Sequence, residues 1–271
     1  MLIKVLKPET QLMNSVEIKR IESKGMLAVA VRDDMPGFCD GGVGLEADLA
    51  KLLARRILPD SDDPLKLIPC SSKSITTKLS DGTADVAIAL QPKGSSSKYS
   101  YSYPYYKDQV YLVTLNRDAR LMAPEQLLIG YIPDSAAGSV FSSYVRSRTA
   151  APEQSIVDKL LRKPKPTQDP ETAVHIESLK YGSYEELIWA LRHGVIEAAV
   201  MSGAYVNKYF ESSYAAEGTP DYYLCQTVIG AVEYCVIASS DEPALTQIAD
   251  MLIYEMQEDG SLAELVRKYV R

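Results

Sequence analysis

Two stretches decide the fold: Met26-Leu-Ala-Val-Ala-Val31, and residues 45–58, which open Leu45-Glu-Ala-Asp-Leu-Ala50. The first is short and continuously apolar, which is how a strand buried on both faces of a helix-covered parallel sheet reads. The second repeats apolar residues at helical spacing: Leu45, Leu49, Leu52, Leu53 and Ile57 are predicted on one face, with Pro59 just past the end. Leu65-Lys-Leu-Ile-Pro69, Ala84-Asp-Val-Ala-Ile-Ala-Leu90 and Ala198-Ala-Val-Met201 read as further strands of the first kind. Strands alternating with amphipathic helices predict an α/β architecture.

Local signals fill in the boundaries. Ser183-Tyr-Glu-Glu186 is a capping box predicted to open a helix over 184–193, and Ser261-Leu-Ala-Glu264 is predicted to open the last helix in the same way. Asp81-Gly82 is a turn between a helix at 74–80 and the strand at 84–90. Residues 144–172 carry four prolines around a short helix expected at 153–163, which marks a surface excursion. No repeat of 20–50 residues is present.

Composition narrows function. The chain has 271 residues, 46% of them apolar, which is enough for one large or two modest domains. A net charge of −7 argues against nucleic acid or an anionic membrane as the main partner, since both reward clustered Lys and Arg. No apolar run approaches the ~20 residues of a membrane helix, so no insertion is expected. The two histidines, His175 and His193, nearly rule out a His-rich metal site and argue against Ser-His catalysis; no cofactor is implied. His193 sits where a cation would cap a helix ending at Gly194, and His175 reads as a packed strand residue. Four cysteines without C-x-x-C spacing exclude zinc ribbons and thioredoxin-like motifs. Pairs 39–70 and 225–235 are conceivable bridges, with free thiols the default. Residues 1–8 lack the long apolar core of a signal peptide, which leaves a cytosolic chain or one whose leader has been removed.

Three motifs tempt. Gly42-Val-Gly44-Leu-Glu-Ala47 matches the dinucleotide fingerprint, but about ten residues separate it from the preceding strand, so a glycine loop before a helix is the better reading. Ser95-Ser-Ser-Lys98 matches S-x-x-K without its companion motifs and reads as a polar loop. Tyr99, Tyr101, Tyr103, Tyr105 and Tyr106 surround Pro104; they form either an aromatic wall for a ligand or a half-buried strand with 99, 101, 103 and 105 on one face.

The order of elements carries a resemblance. Glu17-Ile-Lys-Arg-Ile-Glu-Ser-Lys-Gly25, Leu27-Ala-Val-Ala-Val-Arg-Asp-Asp-Met-Pro-Gly-Phe38 and Gly44-Leu-Glu-Ala-Asp-Leu-Ala-Lys-Leu-Leu-Ala54 resemble the opening of the amino-acid-type (family 3) extracytoplasmic solute-binding proteins of ABC importers. Leu79-Ser-Asp-Gly-Thr-Ala-Asp-Val-Ala-Ile-Ala89, Tyr101-Ser-Tyr-Pro-Tyr-Tyr106, residues 184–200 and Asp259-Gly-Ser-Leu-Ala-Glu-Leu-Val-Arg-Lys-Tyr269 resemble later family segments in the right order. The resemblance implies a type II periplasmic-binding-protein-like fold: lobe 1 over 1–112 plus 233–271, lobe 2 over 117–228, and hinges near 111–116 and 228–235. It also implies hinge closure on a small-molecule ligand in a cleft, an ABC permease as partner, an extracytoplasmic location and a monomer.

The resemblance places ligand contacts at Asp34, Phe38, Leu90, Gln91, Lys93, Ser95, Tyr105, Ser135, Ala136, Ser202 and Glu233, with no catalytic residue. At three of the family's zwitterion contacts this sequence departs. The carboxylate-gripping Arg falls on or near Ser95, and no Arg occurs between Arg56 and Arg117. The ammonium-binding Asp is Ser202, and the Thr/Ser pair at the lobe 2 helix start is Ala136-Ala137. Losing one buried charged partner typically costs ~2–5 kcal/mol. Ordinary amino-acid binding is therefore not expected unless Lys93 or Lys98 stands in, and Lys supplies charge without a bidentate fork. A cationic or aromatic solute held by Phe38 and the tyrosines, with Asp33, Asp34 or Glu233 as counter-charge, fits better. Two alternatives remain at this stage: a cyclohexadienyl-dehydratase-like enzyme needing an acid of raised pKa in a dry pocket, and a member without a ligand or a sensor domain that binds a protein partner.

Overall fold

The computed structural model of the protein describes residues 9–149, 175–210 and 220–270. It divides into two compact units, one running through Asp108 and resuming at Glu233, the other Gln109–Val232.

The first unit is a mixed sheet under helices. Strands β1 (Leu27–Val31), β4 (Leu65–Pro69) and β5 (Val86–Ala87) run parallel, β1 lying between the other two. Strand β11 (Gly230–Ser239) pairs antiparallel with β5, and β6 (Tyr99–Thr114) lies beyond it. A separate hairpin of β2 (Asp34–Met35) and β3 (Cys39–Asp40) follows β1. Val29, Ala30 and Val31 are fully buried, as a central parallel strand requires. Strand β4 is different: it forms the sheet edge, so Leu65 and Leu67 are only half-buried. The strand expected at 84–90 is confined to Val86–Ala87, because the chain turns out of the sheet after Ala89, where Leu90 takes φ +51°.

Helix α1 (Glu9–Met13), α2 (Val16–Lys24), α3 (Leu45–Ile57) and α4 (Ile75–Ser80) belong to this unit. In α3, Leu45, Leu49, Leu53 and Ile57 are buried as their spacing predicts, but Leu52 is 41% exposed and lies off that stripe. Each buried leucine contributes about 1.5–3 kcal/mol. Helix α2 ends at Gly25 in the left-handed conformation, with its N–H on the Ile21 and Glu22 carbonyls. Buried Asp85 ties this helix to the sheet: it accepts from Arg20 (2.8 Å), Lys24 (3.3 Å) and the Ala28 N–H (2.9 Å).

In the second unit the later part of β6 pairs antiparallel with β9 (Ala198–Ser202). Strand β9 runs parallel to β7 (Ile129–Tyr131), β7 runs parallel to β8 (Ser178–Lys180), and β10 (Tyr223–Leu224) lies antiparallel on β6. Helix α5 (Ala136–Thr149) packs against β9, as do α6 (Tyr184–Arg192) and α7 (Gly203–Phe210). The core gathers Val113, Leu187, Leu191, Ile196, Met201, Val206 and Phe210. Ser183 caps α6 by accepting the Glu186 N–H at 3.2 Å, while Glu186 reaches back to the Gly182 N–H at 3.1 Å. His193 ends that helix, with its Nδ1 2.8 Å from the Trp189 carbonyl oxygen. His175 is not a packed strand residue: it is exposed and precedes β8. Much of the proline-rich excursion, with the helix expected at 153–163, lies outside the described residues.

Helices α8 (Pro243–Glu258) and α9 (Ser261–Tyr269) return to the first unit. The capping box expected at Ser261 does not form, because Gly260 is the N-cap and Ser261 is already the first helical residue. Asp259 takes the Ser261 N–H instead, at 2.8 Å. No described helix is long and apolar enough to cross a membrane.

Candidate functional site

Open α/β sheets bind ligands outside the carboxyl ends of their parallel strands. In the first unit those ends lead into Arg32-Asp33-Asp34 after β1, Cys70 after β4 and residues 88–93 after β5. Arg32 is 7% exposed and forks onto Asp34, Nε donating to Oδ1 at 2.8 Å and Nη2 to Oδ2 at 3.0 Å. Asp34 is therefore already paired. Asp33 accepts the Gly42 N–H at 2.8 Å and lies 3.5 Å from the Cys39 sulfur. Burial, reinforced by Asp33, pushes the Cys39 thiol up to about 12. Sequence reasoning missed Arg32; its signal was a cation placed directly after a buried strand.

Glu46, in the first turn of α3, is fully buried. Its Oε1 accepts the Leu90 N–H at 2.7 Å and the Tyr105 hydroxyl. Burial pushes the Glu46 carboxyl up to about 7, against the opposing pull of Tyr105, Leu90 and Arg32. The same burial, with the Glu46 charge beside it, raises the Tyr105 phenol well above its ordinary value. Beyond Leu90 the chain is stitched to β11: the Cys235 N–H donates to the Gln91 carbonyl at 2.9 Å, and the Lys93 N–H to the Glu233 carbonyl at 3.0 Å. Gln91 and Lys93 are thereby held beside Glu233. Lys93, Ser95 and Glu233 are exposed.

The tyrosines do not share one face. Ser102 and Tyr105 are buried while Tyr103 is 40% exposed, so the inward parity of β6 changes around Pro104. Tyr99 and Tyr101 pack on the Ala30, Ile75 and Ile237 cluster. Tyr106 meets fully buried Phe38 edge-on at 5.3 Å and stacks on Tyr234 at 6.5 Å. Phe38 and Tyr105 are thus core residues behind the strand edge.

Ser135, Ala136 and Ser202 belong to the second unit. Ser135 caps α5, its hydroxyl accepting the Gly138 N–H at 2.9 Å and donating to the Ile132 carbonyl at 2.8 Å. Ala136 opens that helix, and Ser202, 1% exposed, ends β9.

The glycine fingerprint is spent structurally. The Leu45 and Glu46 N–H groups at the start of α3 donate to the Gly37 and Phe38 carbonyls, so no phosphate could use them. Residues 95–98 are an exposed loop. All four cysteines are free thiols, and the described residues hold no cluster of three or more His, Cys, Asp or Glu able to bind a metal.

Mixed sheets flanked by helices in two units, with β6 and β11 each running through the boundary, match the fold of the type II periplasmic binding proteins. Residues 27–271 match the model of the bacterial extracellular solute-binding proteins, family 3, and the chain belongs to that family. Its fold is similar to that of ArgBP from T. maritima, in a mutant form (18% identity, TM-score 0.62, 94% of this chain and 99% of that one). It is also similar to an amino acid ABC transporter substrate-binding protein from Streptococcus pneumoniae bound to L-arginine (22%, 0.60, 92% and 96%). A solute receptor for L-cysteine of Neisseria gonorrhoeae is a third (16%, 0.63, 93% of each chain).

Proposed function

We propose that the protein captures a small polar solute by closure of its two units about β6 and β11, for delivery to an ABC permease, and that the solute is not a standard amino acid. One observation carries the second half. The resemblance puts the carboxylate-gripping position on or near Ser95, which is exposed, while the guanidinium that the strand edge does offer, Arg32, is forked onto Asp34. By the same resemblance Ser202 replaces the ammonium-binding Asp, and Ala136-Ala137 replaces the Thr/Ser pair at the helix start. The contacts assigned on this reading are Asp34, Gln91, Lys93, Ser95 and Glu233 in the first unit and Ser135, Ala136 and Ser202 in the second, with Phe38, Leu90 and Tyr105 as the supporting layer of the first set.

Solute capture is preferred to acid catalysis because the one described carboxyl raised toward neutrality, Glu46, is enclosed and occupied by Leu90 and Tyr105. The test is a thermal-shift screen of the twenty amino acids beside polyamines, aromatic amines and dicarboxylates. A rise in Tm with one of the non-amino-acid classes is expected. A rise with an amino acid alone rejects the reading.

A further inference from the structure

We propose that Glu46 is a positioning residue for the solute-binding edge: its carboxyl, by accepting the Leu90 N–H, holds Leu90 in the left-handed conformation and so sets the course of residues 90–95. Calling that segment a binding edge rests on the function proposed above; the positioning itself does not.

Leu90 is the only non-glycine with positive φ among the described residues, at +51°. An L-residue with a branched side chain does not choose that region unaided. Its amide donates to a buried carboxyl at 2.7 Å, the kind of bond that can impose the conformation. The following residues are then committed, since Gln91 and Lys93 bond to Cys235 and Glu233 and Pro92 bridges Tyr234. One side chain on α3 therefore fixes both the loop and its register on β11.

The other Glu46 oxygen, Oε2, is buried without a hydrogen-bond partner. The carboxyl is thus poised between two forms. As an anion it binds the Leu90 N–H more strongly; as a neutral acid it avoids the cost of a buried charge. The groups that act on it are few: Arg32 after β1, itself shared with Asp34; Cys39 on β3, which Asp33 also faces; and Tyr105 on β6, which Tyr234 on β11 faces in turn. Arg32 is the sole cation in this set. The loop is expected to tighten as Glu46 ionises and to loosen as it takes up a proton.

The experiment uses the full chain, isotopically labelled and without ligand, titrated from about pH 5 to about pH 9 by NMR. The Glu46 carboxyl carbon and the Leu90 amide should move with one shared midpoint. Glu46→Gln should abolish that movement at Leu90 while leaving Val200 in β9 unchanged. Glu46→Ala should speed amide exchange at Leu90 and Lys93 by about tenfold or more, reporting local opening. A Leu90 amide that ignores the Glu46 midpoint, or that keeps its wild-type protection in the alanine variant, overturns the proposal. If the alanine variant does not fold, the wild-type and glutamine titrations decide alone. Both readouts are ligand-free, so failure to find a solute leaves them standing, and their failure leaves solute capture standing.

Discussion

Replacing Glu46 by glutamine should change how stability depends on pH. The wild-type carboxyl is pushed up to about 7 in the folded chain, from an ordinary value of 4.5, because burial disfavours its charge. Below 4.5 both folded and unfolded chains hold the proton, and no penalty arises. Between 4.5 and about 7 the unfolded chain releases the proton while the folded one keeps it, so stability falls as pH rises. At about 1.4 kcal/mol per pH unit the loss reaches about 3 kcal/mol by neutrality and is constant above it. Glu46→Gln cannot titrate and escapes this term. Its amide nitrogen replaces partnerless Oε2, which adds an unsatisfied donor but at a cost independent of pH. Urea denaturation of both proteins at a series of pH values gives two curves. Their difference should swing by about 3 kcal/mol in favour of the variant from about pH 4.5 to about pH 8. Parallel curves across that window would refute the argument.

Gly44→Ala should destabilise by about 3 kcal/mol or more, since φ is +140° and a Cβ would lie 2.2 Å from the Phe38 carbonyl oxygen; unchanged urea unfolding would contradict this. Ser183→Ala should cost about 1 kcal/mol through loss of the α6 cap, whereas Ser261→Ala should cost well under half of that, because Ser261 caps nothing. Equal losses in thermal unfolding would put the cap assignment in error. Cys39 and Cys235, buried and pushed up to about 12, should alkylate with iodoacetamide at least about a hundredfold more slowly at pH ~8 than a free cysteine. Rapid labelling of both in the native protein would rule out their enclosure.

Much of the fold was legible because burial writes itself as period. Residues 27–31 and 198–201 are apolar throughout and became central strands, and Leu45, Leu49, Leu53 and Ile57 became the buried stripe of α3. The misreadings have local causes. Leu65–Pro69 reads as a strand of the β1 kind yet lies at the sheet edge, with Lys66 exposed, a placement set by strand order. Ser261 has a capping-box spacing, but Asp259 and Gly260 reach the helix start first. Of the two readings open for the tyrosines, the one that put 99, 101, 103 and 105 on one face fails because the parity change at Pro104 separates Tyr103 from Tyr105.

The strand edge was legible in part. The sequence drew attention to residues 33–38 and 90–95 and to the departures expected on or near Ser95, at Ser202 and at Ala136-Ala137. It gave no sign that Arg32 would be neutralised by its neighbour two residues on, nor that Glu46, one acid among several in a helical run, would be enclosed between Leu90 and Tyr105. Pairings of that kind depend on where distant segments meet.

Isothermal titration calorimetry with each of the twenty amino acids, on protein first stripped of any carried solute by mild unfolding and refolding, tests the central claim most directly. No amino acid should bind at micromolar strength if, as we propose, Ser95 and Ser202 take the places of the guanidinium and the counter-acid that would grip a zwitterion. Micromolar heat from any one of them would contradict it.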